Sequence, residues 1–205
     1  MASYRIAVVV GSLRRDSFNR QLARALQSLA PQAFELQTVE IGDLPLYNQD
    51  DDAAPAAPVV RLKSEIAGSD GVIFVTPEYN RSIPGVLKNA IDHASRPYGQ
   101  SAWAGKPAGI LGVSIGVIGT ACAQQHLRSM LSYLEMPVLG QPEVYLQYKE
   151  GLLTADGRIG EASRDFLQTW MDRYVDWVKQ HAPRREEGFA PHAGGETEAP
   201  RPRPG

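Results

Sequence analysis

Three short runs, Tyr4–Val10, Gly71–Thr76 and Pro107–Val113, are almost continuous in apolar residues. Runs of that length, rich in Val and Ile, fit strands buried on both faces. Between and after them the apolar positions recur at helical spacing. Phe18, Leu22, Ala25, Leu26 and Leu29 predict a helix that opens near Ser17 or Asn19. Val59, Leu62 and Ile66 predict a second over Pro58 to Gly68, and Val86, Leu87, Ala90, Ile91 and Ala94 a third that starts near Pro84 with Ser82 as its cap. A fourth runs from Thr120 to about Glu135, and Ile159, Ala162, Phe166, Trp170, Tyr174 and Trp177 mark a long closing helix. Two weaker strands complete the series: Phe34–Ile41, which alternates as an edge strand does, and Val138 to Gln147, interrupted at Gly140-Gln141-Pro142.

Strand and helix in alternation imply a parallel sheet covered on both faces by right-handed crossovers. Five strands in this rhythm fit an α/β three-layer sandwich, the flavodoxin-like arrangement 2-1-3-4-5, with ligands at the carboxyl ends of the strands. One such domain is expected over residues 1–182 of the 205. From about Pro183 proline, glycine, glutamate and arginine dominate without period, so residues 183–205 read as a disordered tail.

The chemistry lies where strands give way to helices. Gly11-Ser12-Leu13-Arg14-Arg15-Asp16-Ser17-Phe18-Asn19-Arg20 ends a strand and opens a helix, which points free N–H groups and the positive helix end at one spot. Ser12, Ser17 and Asn19 add neutral donors, and Arg14 a planar charged fork for phosphate oxygens. The plainer alternative is that Ser17 or Asn19 only caps the helix while the arginines are solvated. Pro77-Glu78-Tyr79-Asn80-Arg81-Ser82 follows the second apolar strand. Ser114-Ile115-Gly116-Val117-Ile118-Gly119-Thr120 follows the third, with Gly116 among the glycines that let backbone N–H groups come close. A planar, hydrogen-bonding, partly apolar ring carrying one phosphate satisfies all three turns, and flavin mononucleotide is such a molecule. The positive end of the helix after the third turn is then expected to stabilise negative charge on the reduced ring.

Composition narrows the alternatives. With 21 Lys+Arg against 23 Asp+Glu, no global field recruits nucleic acid or an anionic membrane. Cys122 is the sole cysteine and reads as a small buried helix residue; it rules out an intrachain disulfide and a thiolate metal cluster. Without a secretory start or a long apolar span, the expected setting is cytoplasmic. Asp50-Asp51-Asp52 lacks EF-hand spacing, and the four histidines lack metal spacing, so no metal is expected. No Gly-x-Gly-x-x-Gly follows the first strand, and Gly105-Lys106 precedes a strand, so neither a dinucleotide fingerprint nor a P-loop is present. The first turn has no cysteine nucleophile, Thr76 stands where a receiver domain needs aspartate, and no serine occupies a nucleophile elbow. Two aromatic features remain. Trp103 packs under its irregular segment, Arg96 to Lys106, or at an interface, and Leu44-Pro45-Leu46-Tyr47 covers either the core or a partner subunit.

Gly11-Ser12-Leu13-Arg14 with Ser17 and Asn19-Arg20, then Thr76-Pro77-Glu78-Tyr79-Asn80 and Ser82-x-Pro84-Gly85-x-Leu87-Lys88-Asn89-Ala90-Ile91-Asp92, resemble the NADPH-dependent FMN reductase family over about Tyr4 to Leu146. That family includes soluble quinone, chromate and azo-dye reductases. The resemblance implies FMN phosphate held by Ser12, Arg14, Ser17 and Asn19, and the ring held by Pro77, Glu78, Tyr79, Asn80 and Ser114. It also implies hydride passing from NADPH or NADH through FMN N5 to a small acceptor such as a quinone, without a catalytic side chain. Glu78 is expected to hydrogen-bond within its own turn. Homodimers or homotetramers are implied as well. In one departure, many members continue the third turn as Gly-Gly-x-Arg, where this chain has Gly119-Thr120-Ala121-Cys122. The rival reading is an FMN-binding electron carrier or regulatory module without turnover. Carriers of that kind have a strongly acidic face and a Ser/Thr-rich first turn without arginine, so the near-balanced charge and Arg14 favour the enzyme.

Overall fold

The structure, a computed structural model, describes residues 3–182. The tail from 183, expected to be disordered, lies outside the described residues. In chain order the elements are β1 (Tyr4–Val10), α1 (Phe18–Leu26), β2 (Phe34–Val39), a short 3-10 turn (Gln49–Asp51), α2 (Ala57–Ala67), β3 (Gly71–Val75), α3 (Gly85–Ala94), β4 (Ala108–Ser114), α4 (Ala121–Tyr133), β5 (Val144–Gln147) and α5 (Glu161–His181). The five strands form one parallel sheet in the order β2-β1-β3-β4-β5, as the alternating pattern implies.

Side chains alternate across a strand, so a β-run apolar at every position feeds two cores. Ile6, Val8 and Val10 of β1 join Leu22, Leu26, Trp170 and Tyr174 on the face covered by α1 and α5. Ala7 and Val9 join Leu62, Phe74, Leu87 and Leu127 on the face covered by α2, α3 and α4. Trp103 belongs to this second core. It is fully buried, its Nε1 donates to Ile91 O at 3.0 Å, and its ring lies 5.7 Å from Phe74. Its size and position are therefore accounted for within one chain, and the interface alternative fails for this residue.

Several expected boundaries shift for local reasons. β2 stops at Val39 although Ile41 is buried, and α1 ends at Leu26 while Leu29 still packs into the core. Val138 makes only a single bridge, to Ala108, and β5 proper begins at Val144. Pro142 has no N–H to give a ladder, which keeps the intervening segment out of the sheet. Ser82 does not cap α3: Pro84 occupies the cap position and no side chain bonds there. Ser82 instead pairs with Tyr79, so its backbone is already committed to a turn.

Candidate functional site

Val10, Val75 and Leu111 lie side by side at the carboxyl edge of the sheet, which brings the turns after β1, β3 and β4 to one rim. Gly11 N–H donates to Val75 O at 2.9 Å and Thr76 N–H to Leu111 O at 3.1 Å. Thr76 is fully buried between two glycines. A Cβ on Gly11 would sit 2.7 Å from Thr76 Oγ1, and one on Gly112 only 2.1 Å from Thr76 O. The turns can approach each other because these positions carry no side chain.

In the first turn Ser17 is the N-cap of α1, its Oγ accepting the Arg20 N–H at 3.3 Å. The N–H groups of Phe18 and Asn19 follow it with no intrahelical acceptor, and the first turn of α1 contains no acidic residue. Ser12 is buried at the same rim, and Arg20 reaches its carbonyl at 3.5 Å. Arg14 is exposed, and its guanidinium lies 5.1 Å from the centre of the Phe18 ring. Asn19 differs from expectation. Its buried amide donates to Val113 O at 2.8 Å and accepts from Val113 N–H at 2.9 Å. That side chain is spent fastening α1 to β4, so Asn19 offers an anion its main-chain N–H rather than its side-chain amide N–H.

The second turn is a tight hairpin. Tyr79 and Ser82 exchange two backbone bonds of 2.9 and 3.0 Å, and between them Asn80 (φ 52°) and Arg81 (φ 65°) both adopt left-handed backbone. Two consecutive non-glycine residues there form a strained primed turn that exposes Asn80 and holds Tyr79 half out of the protein. Glu78 does not confine its bonds to its own turn. Oε1 is 3.5 Å from Arg81 Nη1, but Oε2 accepts the Ala123 N–H of α4 at 3.1 Å. Since Thr120 provides no side-chain cap, Glu78 is the cap of α4, delivered from another element. The positive end expected to face a reduced ring is thus already partly answered by a carboxylate. Pro77, lacking an N–H, has its carbonyl engaged by Thr76 Oγ1 at 2.8 Å.

In the third turn Ser114 Oγ accepts the Gly116 N–H at 3.3 Å, and Gly116 is exposed. Ile115, Val117 and Ile118 around it are exposed and apolar. Tyr148 N–H donates to Ser114 O at 2.7 Å, tying the end of β5 to this turn. Cys122, expected to be buried, is half-exposed in the first turn of α4. Behind it Gln124 is buried and its Nε2 binds Thr120 Oγ1 and Val144 O.

Tyr148 is a neighbour of the rim to which the sequence does not point, and the sequence does not show what Thr76 and Phe18 touch there. Thr76 reads as the end of a strand and the opening of the second turn, and Phe18 as a helix-face residue within the first. Nothing in the sequence ties Tyr148 to a turn some 130 residues earlier. A cavity of about 420 Å³ bounded by Arg96, Tyr98, Tyr133 and Glu135 lies at the far ends of α3 and α4 and shares none of these groups. Convergent donors, rather than depth, mark the site. Among the described residues no group of three or more His, Cys, Asp or Glu is placed to hold a metal ion.

The donor set of the first turn, free N–H groups with two buried serines and a guanidinium, fits a phosphate monoester. The exposed hairpin and the apolar third turn fit the edge and face of a flat heterocycle. Comparison with known proteins points the same way. The family described as NADPH-dependent FMN reductase matches residues 4–151. A 2-hydroxy-1,4-benzoquinone reductase of Burkholderia sp. is 56% identical over 176 residues, which is 85% of this chain and 96% of the relative. An NAD(P)H-dependent FMN reductase of Pseudomonas aeruginosa is 40% identical over 174 residues, 84% of this chain and 94% of the relative. Among solved structures, the flavoenzyme NAD(P)H:(acceptor) oxidoreductase FerB of Paracoccus denitrificans superposes with a TM-score of 0.85 at 47% identity, covering 88% of this chain and all of that one.

Proposed function

Because the chain belongs to the NADPH-dependent FMN reductase family, we propose that the rim where its three turns meet holds FMN and that quinones are the acceptors it serves. The protein is an FMN-dependent NAD(P)H:acceptor oxidoreductase. When bound, FMN supplies the two-electron chemistry; the protein supplies grip, orientation and electrostatics.

The observation that carries the assignment is the entrance to α1. Its Phe18 and Asn19 N–H groups lie in one turn with the buried Ser12 and Ser17 and with Arg14 over the Phe18 ring, and the first helical turn holds no carboxylate. These groups bind the phosphate, Arg14 through charge and the N–H groups through the helix end. The Pro77 ring, main-chain groups of Glu78 and Tyr79, and the exposed Asn80 side chain orient the ring edge, held in place by the strained hairpin. Ser114 and Gly116 line its other side, where Ile115 and Val117 keep water from one approach. The quinone assignment draws on the relatives, of which one acts on a hydroxybenzoquinone and two from Pseudomonas putida are quinone reductases.

Residues 1–182 constitute the flavin domain in this proposal. The setting is cytoplasmic, which the lone cysteine supports, and no helix among the described residues is long and apolar enough to cross a membrane. The working form is a homodimer or homotetramer. It is supported by Leu46, 86% exposed at the tip of a segment pinned by Asn89 and His93 through Pro45 O and the Tyr47 N–H.

The purified protein is expected to be yellow, to bleach with NADPH in the absence of oxygen, and to regain colour on adding a quinone. Arg14→Ala combined with Asn80→Ala is expected to lose bound FMN. A colourless protein that takes up no added FMN, or a double variant that retains it unchanged, overturns the assignment.

A further inference from the structure

Arg14 does not stand alone in the first turn. Its guanidinium lies over the Phe18 ring at 5.1 Å, within the range of a cation–π contact. On its own account Phe18 is stacked on Tyr148, with ring centres 3.7 Å apart and planes inclined by 17°. Phe18 is the first residue of α1, so its ring projects from the same helix end whose N–H groups face the anion. Tyr148 lies just past β5, and its own N–H holds Ser114 O at 2.7 Å. One residue thus grips the third turn by its backbone and the first turn by its ring.

An exposed arginine surrenders much rotamer freedom when it closes on a phosphate, and that loss is subtracted from affinity. A guanidinium already resting on a ring that cannot tilt loses less. We propose that Tyr148 is a positioning residue for the cofactor phosphate, acting through Phe18 to hold Arg14 in its gripping orientation. The proposal rests on the reading that the first turn binds FMN phosphate. The competing account is packing alone: Phe18 and Tyr148 both border the core under α1 and α5, so the stack would stabilise the fold without favouring any ligand group.

Riboflavin separates the two, because it carries the same ring without the phosphate. Full-length protein freed of flavin is titrated with FMN and with riboflavin, following the quenching of flavin fluorescence. The comparison covers wild type, Tyr148→Leu, Tyr148→Phe, Arg14→Ala and the double variant Arg14→Ala/Tyr148→Leu. Tyr148→Leu should weaken FMN binding roughly two- to fivefold, the span of an exposed cation–π contact, while riboflavin binding stays put. Tyr148→Phe, which keeps the stack, should match wild type, and Tyr148→Leu should cost nothing further once Arg14 is gone. Equal losses for FMN and riboflavin, an unchanged FMN affinity, or a loss that adds in full to that of Arg14→Ala overturns the proposal while the FMN site stands. A wild type that binds no FMN overturns the site and the stack together.

Discussion

Tyr174 shows how one atom can be costly in a well-packed interior. Its ring stacks in parallel on Trp170 with centres 5.5 Å apart, yet its hydroxyl is buried without a hydrogen-bond partner. Burial also pushes its ionisation well above the ordinary 10.0. Below the unfolded value of 10.0 the phenol is neutral in both states and stability does not depend on it through pH; as pH climbs from there towards the raised folded value, the unfolded chain ionises first and stability falls. Tyr174→Phe removes both the orphan hydroxyl and the alkaline liability. It is expected to be more stable at neutral pH by about 1 kcal/mol, and to keep its advantage above about pH 10 where the wild type weakens. Thermal unfolding followed at both pH values checks this. The Leu, Val and Trp contributions of this core were legible from spacing, but the missing partner was not. A periodic aromatic reads as core whether or not its polar end is answered.

At the level of elements, α4 is the instructive case. Its first turn has no acidic residue and no side-chain cap of its own, so local rules score its start as weak. Glu78, more than 40 residues earlier, supplies the acceptor for Ala123 N–H. Glu78→Ala should cost about 1 kcal/mol, the usual worth of a cap, and Glu78→Gln, which keeps an acceptor oxygen, should cost less. Urea unfolding of the two variants beside wild type settles it; equal stability of all three would mean that the cap contributes nothing. The same limit explains Ser82 and Asn19. Serine before a proline is a sound local signal for a cap, and asparagine at a helix start a sound signal for a free donor. Each was overridden because its groups were claimed from elsewhere, by Tyr79 in one case and by Val113 in the other.

For the molecule as a whole, the sheet order gathers three separate turns at one edge, and the site exists only as their sum. The proposed subunit association is expected to follow from the same rigidity. Asn89 Nδ2 and His93 Nε2 both reach Pro45 O, at 2.8 and 2.9 Å, which fixes the strap carrying Leu46. A side chain held 86% exposed loses little freedom on docking and brings apolar area with it. Light scattering coupled to gel filtration should find more than one subunit, and Leu46→Asp should shift the population towards monomer without lowering the melting temperature of the monomer itself. A monomeric wild type would remove the association from the proposal.

What the sequence determined by itself is the set of elements, their parallel order and the identity of the three turns. Those depend on short-range chemistry: runs apolar at every position need cover on both faces, helical spacing provides it, and glycine, serine and arginine after a buried strand leave donors exposed. Tertiary structure alone decided which polar groups remain available. Thr76 between Gly11 and Gly112, Glu78 on α4, Asn19 on Val113 and Tyr148 under Phe18 are all pairings between residues distant along the chain. A hydrogen bond or a ring contact is a matter of a few ångströms, and no spacing within one segment fixes the distance to another.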